Sequence, residues 1–135
     1  MSLTIKEFEE AHEKDMTALH RAVAFELAET MINAMPVDTG ALKGSVNISK
    51  TEGDVIIDEL DPSGSNTKSR IKNNLMQCDS DDNLYGTVGE QYAPYVDGGT
   101  STQPPTAFFT GTISSLSNVV KRASDRIKEF RDAGT

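Results

Sequence analysis

Apolar residues recur every three or four positions along the first quarter of the chain, which predicts a long N-terminal helix. Residues 4–7 match a capping box, and Pro36 ends a helix because the residue before a proline is disfavoured in the helical conformation. The pattern therefore predicts a helix over residues 3–35. Its apolar surface is wider in the second half, so we expect residues 17–35 to be packed. We expect residues 1–14 to be exposed or to touch a partner.

A second long helix is predicted at the C-terminal end, over residues 106–131. Thr106 follows two prolines and is a plausible cap. Apolar residues then alternate in steps of four and three. These residues are Phe109, Ile113, Leu116, Val120, Ala123, Ile127 and Phe130. The spacing favours one long helix that lies across a sheet or against the first helix.

Shorter alternating patterns between the helices predict strands. Residues 46–49 alternate apolar and polar, residues 52–54 form a turn, and residues 55–57 start a return strand, so a β-hairpin is predicted over residues 44–60. Residues 84–88 give a further strand. The predicted fold is α+β, with a small antiparallel sheet of about three to four strands packed with the two long helices, in one domain over residues 1–135.

Residues 61–83 have the composition of a loop, with Pro62, Gly64 and many Ser, Asn and Asp residues. Loops of this length are usually functional or disordered. We favour a projecting arm that docks on a neighbouring subunit. A hairpin extension, a short helix that orders on assembly and a solvated insertion are alternatives. The candidate docking residues are Arg70, Ile71, Leu75 and Met76.

Aromatic, glycine and proline residues are concentrated in residues 84–109, which predicts a shaped surface rather than a linker. At its centre is an aromatic turn over residues 92–96. We expect Tyr95 and Phe109 to belong mostly to the core. We expect Tyr92 and Thr100 to lie nearer a junction.

Composition and charge limit the possible partners. The formal net charge is −8, from 21 acidic and 13 basic residues, which argues against electrostatic binding to nucleic acid or anionic membranes. The single Cys78 excludes an internal disulfide and suits a reducing cytosol. We expect no transmembrane segment and no signal peptide. The hydrophobic fraction of 36% and the absence of Trp suit a protein that gains burial from neighbouring subunits.

The candidate metal and catalytic residues favour a protein without metal, cofactor or enzymatic activity. His12 and His20 have no supporting ligand cluster. Four residues match the offsets of a calcium loop, but Leu84 occupies the position that requires glycine. These four are Asp79, Asp81, Asn83 and Glu90. There is no nucleophile elbow, metal pair or phosphate loop.

Two motifs resemble a known family. Residues 37–45, VDTGALKGS, resemble the "VDTGxLxxS" element of the small neck, or tail-completion, proteins of long-tailed bacteriophages. Residues 92–100, YAPYVDGGT, resemble that family's second element, "YAxYVExGT". Both occur in the family's order and are followed by a proline-aromatic sequence and a helix. The chain departs from the family at Asp97, Gly98 and Thr106, where Glu, an aromatic residue and Arg are common.

The resemblance implies a structural protein of the virion. Such proteins form a ring, commonly sixfold, at the neck, where they join the tail to the DNA-filled head. The implied partners are further copies of the chain, head-completion or connector proteins, and tail-terminator or tail-tube proteins; DNA passes through the lumen, and no membrane is involved. The protein would occupy the host cytoplasm during assembly. The interface residues that the motifs imply are Asp38, Thr39, Gly40, Leu42, Tyr92, Ala93, Pro94, Tyr95, Val96, Asp97, Gly99 and Thr100.

Physical arguments agree with this implication. Six copies of a −8 chain carry a charge of about −50, which repels the phosphates of passing DNA. A head-to-tail ring needs two different contact faces on each subunit, and the aromatic turn and the arm are candidates. The alternative is an acidic inhibitor that mimics DNA, or another small assembly module. Because acidic residues are mixed with Lys and Arg in both helices, a solvated surface is favoured over a DNA mimic.

Overall fold

The computed structural model describes residues 4–36, 40–101 and 104–132 and shows a mixed helix and sheet fold. The helices are α1 (Ile5–Ala34), α2 (Ala41–Gly44), α3 (Ser65–Leu75), α4 (Ala93–Gly98), α5 (Thr110–Ser114) and α6 (Leu116–Ser124), followed by a 3₁₀ turn (Ile127–Phe130). The strands are β1 (Val46–Ser49) and β2 (Tyr85–Val88). None of the helices in these ranges is both long and apolar enough to cross a bilayer.

The long N-terminal helix is confirmed as α1. The Glu7 backbone N–H donates to the Thr4 hydroxyl at 3.1 Å, and the Thr4 N–H donates to the Glu7 carboxylate at 3.3 Å, which completes the predicted capping box. The described side chains of residues 5–16 are exposed, as expected for the first half. Beyond them, Ala22, Phe25 and Ile32 face the core.

The sheet has two strands in the described ranges, not the predicted three to four. β1 pairs antiparallel with β2, with Val46 opposite Val88 and Ser49 opposite Tyr85. The predicted strand over residues 84–88 is thus confirmed, but the predicted hairpin over residues 44–60 is wrong. Residues 54–57 do not pair with β1, because β2 occupies one edge of β1 and the Arg70 and Asn74 side chains occupy the other. The Asp54 carbonyl instead accepts hydrogen bonds from the Asn47 and Thr87 side chains.

The projecting arm is also wrong, because the middle of residues 61–83 is the core helix α3. Ile71 and Leu75 are fully buried, and α3 packs on α1 and β1 of the same chain. The polar residues before the helix specify its start rather than a loop. The Asp61 carboxylate accepts from the Thr67 N–H and hydroxyl, each at 2.7 Å. Gly64 takes the left-handed conformation just before the first turn.

The single helix predicted over residues 106–131 is broken into α5, α6 and the 3₁₀ turn. Serine side chains lie at both breaks. The Ser114, Ser115 and Ser124 hydroxyls each donate to the carbonyl three residues earlier. Such bonds compete with the helical ladder and destabilise a continuous helix. Only the end of the heptad pattern is buried: Ala123 and Phe130 are in the core, and Phe130 lies 5.3 Å from the Phe25 ring.

Candidate assembly surface

The first motif builds the interior of the fold. Gly40 has φ +83°, and a Cβ atom there would lie 2.3 Å from the Pro62 nitrogen. Its carbonyl accepts from the Gly44 and Asp61 N–H groups. Leu42 is only 4% exposed. The interface prediction is therefore wrong for Gly40 and Leu42, which hold the loop before α3 in place; Asp38 and Thr39 lie outside the described residues.

The second motif forms α4 and fixes the start of α5. The Asp97 carboxylate accepts from the backbone N–H groups of Phe109 and Thr110, at 2.9 and 3.0 Å. One residue earlier, the Val96 carbonyl accepts from the N–H and hydroxyl of Thr106. Asp97 is thus the cap that Thr106 was predicted to be, and its carboxylate is used within the chain.

Aromatic residues around the second motif differ from the expectation. Tyr95 and Phe109, predicted to be mostly core, are 65% and 44% exposed. Phe108 takes the core position instead, at 1% exposure. Tyr92 is 42% exposed, and Thr100 is also exposed. That these two residues lie near a junction between subunits or partners stays a prediction. The pattern along the chain cannot distinguish the adjacent Phe108 and Phe109, because one helical turn buries only one of them.

The candidate docking residues of α3 serve the chain itself. The Arg70 guanidinium donates to the Gly44 and Val46 carbonyls at the outer edge of β1. Its burial lowers the pKa of this group, although Glu59, Asp61 and Asp54 favour the charged form. Met76 is half-buried, like Arg70.

An apolar groove, which sequence reasoning did not find, runs between the sheet and two helices. We call it the sheet-edge groove. Its volume is about 250 Å³. Its walls come from α1, from both strands and from α5. The apolar lining residues are Ala24, Leu27, Ala28, Met31, Val46, Ile48, Leu84, Val88, Phe109 and Ile113. No lining side chain is ionisable, on a chain of net charge −8.

A second apolar pocket, of about 270 Å³, adjoins this groove at the second motif. Ala93, Pro94 and Asp97 line it, and it shares Val88 and Phe109 with the sheet-edge groove. The predicted interface residues of α4 therefore border an apolar surface that continues to the sheet. Gly99 ends α4 with φ +80°, a conformation that glycine adopts without strain.

Apolar side chains on α5 and α6 extend the exposed surface further. Ile113, Leu116 and Val120 are 49%, 45% and 41% exposed. They belong to the heptad pattern that predicted a buried helix face. Two serines lie at the break between α5 and α6 and interrupt the helix. These serines are the sequence signal that could have shown that the start of the pattern is exposed and only its end is buried.

Ion pairs hold this C-terminal region to α1. The buried Glu26 carboxylate binds Arg122 at 2.8 Å and Arg126 at 2.9 Å. The hydrogen bond that Arg126 donates to Glu129, together with the one it donates to Glu26 and the charge of Glu29, raises the pKa of Arg126. These carboxylates are therefore fully engaged in positioning α6.

Candidate metal ligands are not brought together. Within residues 4–36, 40–101 and 104–132, no three His, Cys, Asp or Glu side chains are placed to hold a metal ion. In the segment that matches the offsets of a calcium loop, the Asp79 carboxylate accepts from the Asp81 N–H. The His20 ring nitrogen lies 3.0 Å from the Asp82 carbonyl. Burial, with Asp82 nearby, raises the pKa of the Cys78 thiol.

Comparisons with known proteins assign this fold and surface to no class. No family model, no curated protein and no solved structure matches the chain.

Proposed function

We propose that the chain is a structural, non-enzymatic protein of a tailed bacteriophage that forms a ring at the neck. The ring, commonly sixfold in the family that the two motifs resemble, joins the tail to the DNA-filled head. The observation that carries the proposal is the surface around the second motif. There α4 carries the exposed Tyr95, the exposed Tyr92 precedes it, and other residues of α4 line one of two joined apolar pockets.

Such a surface is typical of a protein that completes its burial on assembly. Contiguous apolar area on a monomer usually marks a contact site, and aromatic side chains are enriched at the centres of interfaces. The second motif also limits the ordering cost of binding, because Asp97 and the Val96 carbonyl already hold the chain in place. The implied partners are copies of this chain and the connector and tail proteins on either side.

Charge supports the same function. A net charge of −8 repeated around a ring repels DNA phosphates, so that DNA passes through the lumen without binding. The sheet-edge groove, in contrast, is lined by uncharged side chains. Like-charged subunits need such an uncharged strip, because facing carboxylates would oppose their association.

One observation favours the alternative, an acidic inhibitor that mimics DNA. The first half of α1 exposes several carboxylates: Glu7, Glu9, Glu10, Glu13 and Asp15. However, they share this face with Lys6 and Lys14, and Asp15 pairs with Arg131 at 3.1 Å. An inhibitor would also leave the apolar surface around α4 without a use.

Complementation tests the proposed function. In the phage genome that encodes the chain, deletion of its gene should leave DNA-filled heads and free tails that are visible by electron microscopy. The purified chain should restore infectious particles when it is mixed with that lysate. Tyr95→Asp, which places a charge within α4, should lower this yield strongly. Ile5→Asp, at a more exposed apolar position at the start of α1, is the control and should restore it.

Joined infectious particles in the absence of the chain would overturn the proposal. Purified chain that binds a DNA-binding enzyme and blocks it, without any effect on joining, would favour the inhibitor instead.

A further inference from the structure

The sheet has one covered edge and one open edge. The Gly89 N–H donates to the Ser45 carbonyl, one residue beyond the ends of the two strands. In an antiparallel pair, every second residue directs its N–H and C=O groups toward the partner strand. The backbone groups of Gly86 and Val88 therefore point away from β1. No hydrogen bond to these outward groups is found among the described residues. The opposite edge is different, because Arg70 and Asn74 of α3 donate to the outward carbonyls of β1.

The sheet-edge groove lies beside this open edge. Gly86 and Val88 of β2 are among its lining residues, together with side chains of α1 and α5. A strand that paired with β2 would therefore place every second side chain over an apolar, uncharged surface. Exposed edges of this kind are the templates for strand addition.

The same chain carries a segment, residues 55–57, that belongs to no helix or strand and, in the part of the chain that the structure describes, has no strand partner. Within the described ranges, no hydrogen bond involves the backbone of residues 55–57, although Val-Ile-Ile has a strong preference for strands. Val55 and Ile57 are 52% and 58% exposed, although the Ile56 carbonyl and one Val55 methyl group lie close to Gly89 of the same chain. Two residues apart, Val55 and Ile57 would point to the same side if the segment were a strand. A local preference that the subunit itself does not satisfy is expected at functional sites.

We propose that residues 55–57 of a second copy of this chain pair with the open edge of β2, with Val55 and Ile57 entering the sheet-edge groove. The inference rests on the proposed ring and names its contact. Charge favours a second copy as the occupant, because neither the groove nor residues 55–57 carry an ionisable side chain, on a chain of net charge −8 in which Asp54 and Asp58 flank this segment. Strand addition forms main-chain hydrogen bonds, so it would satisfy the unpaired backbone groups of the β2 edge and of residues 55–57 at the same time.

The two surfaces face different directions, as a ring requires. The groove lies on the α1 side of the sheet. Residues 54–57 cross the other side, where the Asp54 carbonyl accepts from the Asn47 and Thr87 side chains. A contact between two different faces continues from copy to copy and closes when the rotation allows it.

Mixed disulfides test the contact directly. Gly86→Cys chains are mixed, under mild oxidation, with Val55→Cys chains or with Ile57→Cys chains, and the linked product is measured on a non-reducing gel. A Cβ atom at position 86 has only Ile48 near it, at 3.9 Å, so the cysteine fits. The native Cys78 is buried and does not compete. Because each chain carries one new thiol, any mixed product joins two copies.

We expect a mixed disulfide from at least one of the two pairs, because a same-face neighbour in an adjacent strand is within reach of a disulfide. The matched control is Ile5→Cys with Gly86→Cys, since Ile5 is an exposed apolar residue outside the proposed contact. The inference is overturned if, at the highest attainable protein concentration, neither the 55/86 pair nor the 57/86 pair yields more linked product than the 5/86 control.

A proline on the open edge gives a second readout. Val88→Pro removes an N–H that points away from β1, so the ladder within the subunit is kept. We expect the dissociation constant for self-association to rise about tenfold or more, with an unchanged circular dichroism spectrum. Val88→Ala is the control for the lost side chain. The proposal is contradicted if both variants self-associate as tightly as the wild type. If the proline variant fails to fold, the disulfide test decides.

Failure of the inference and failure of the proposed function are distinguishable. Rings without linking of residues 55 or 57 to residue 86 would overturn this contact and leave the neck function in place. Specific linking in a protein that plays no part in joining heads to tails would support the contact and overturn the neck function.

Discussion

At the scale of single residues, the motifs that suggest an interface act first on the fold. Gly40 and Leu42 are buried, and Asp97 caps α5. A resemblance in sequence marks positions that matter without saying whether they matter for folding or for contact. Burial and hydrogen bonding separate the two, and among the described motif residues they leave exposed ones, such as Tyr92 and Tyr95, for the proposed contact.

The Gly40 conformation gives a direct stability prediction. Gly40→Ala should be destabilising both through its positive φ, at about 1–2 kcal/mol, and through overlap with the Pro62 backbone, at about 1–3 kcal/mol more. Gly53→Ala is the matched control, because Gly53 has φ +76° but open space around it. Urea unfolding measures both. Equal losses of unfolding free energy in the two variants would show that the contact with Pro62 is not tight.

Asp61 predicts how stability depends on pH. Burial alone would raise its pKa, but hydrogen bonds from Thr67 and Asn66, together with the charge of Arg70, outweigh burial and hold the pKa below its usual value. A lowered pKa in the folded state contributes stability above the unfolded value of about 3.9, and this stability is lost as the pH falls through the folded pKa. Wild-type stability should therefore drop below about pH 4.

Asp61→Asn tests this assignment. The variant should be less stable by about 1–2 kcal/mol at neutral pH, because the amide accepts the Thr67 hydrogen bonds more weakly, and its stability should fall less between pH 4 and 2. Asp81→Asn, at an exposed carboxylate, is the control. Parallel acid limbs for wild type and Asp61→Asn in chemical denaturation would contradict the role of Asp61.

At the scale of elements, the sequence correctly predicted the helices and strands that are specified by neighbouring residues in the chain. The capping box and periodic apolar face were sufficient for α1, and the alternation of apolar and polar residues over 46–49 was sufficient for β1. Residues 55–57 also look like a strand, but pairing depends on a distant partner, and β1 pairs with residues 85–88. The pattern of residues within one segment cannot predict which distant strand it pairs with.

The two other errors have the same origin. The polar residues before α3 predict a loop, because Asp61 and Gly64 specify a helix start only when the chain turns back onto the core. The heptad pattern after Phe109 predicted one helix, yet the serines near residue 115 favour a break. The apolar groove could not be predicted at all, because it exists only where α1, the sheet and α5 meet.

Arg21 shows how α1 holds the other elements. Its buried guanidinium donates to the Met76, Cys78 and Phe130 carbonyls. Arg21→Met should therefore cost about 3 kcal/mol or more, because several acceptors lose their partner in the interior. Arg131→Met is the control: its ion pair with Asp15 is exposed and contributes about 0–1 kcal/mol. Equal unfolding midpoints for the two variants would show that Arg21 is not needed to hold these elements.

At the scale of the whole molecule, an acidic chain presents mainly apolar surfaces at two places. One is the sheet-edge groove with the adjoining pocket at α4, in which Asp97 is the one ionisable residue among the lining residues that the structure describes, and the other is the segment with Val55 and Ile57. A subunit with two different contact surfaces and repulsive charge elsewhere is suited to an ordered ring rather than to indiscriminate aggregation. This arrangement is the central claim for the molecule.

The most direct test of that claim is the mass of the purified protein in solution, measured by light scattering with electron microscopy of the same sample. A single multiple of the 14.6 kDa chain, seen as a closed ring with an open lumen, is the predicted result. A compact monomer at every concentration, also in the presence of tails, would contradict it.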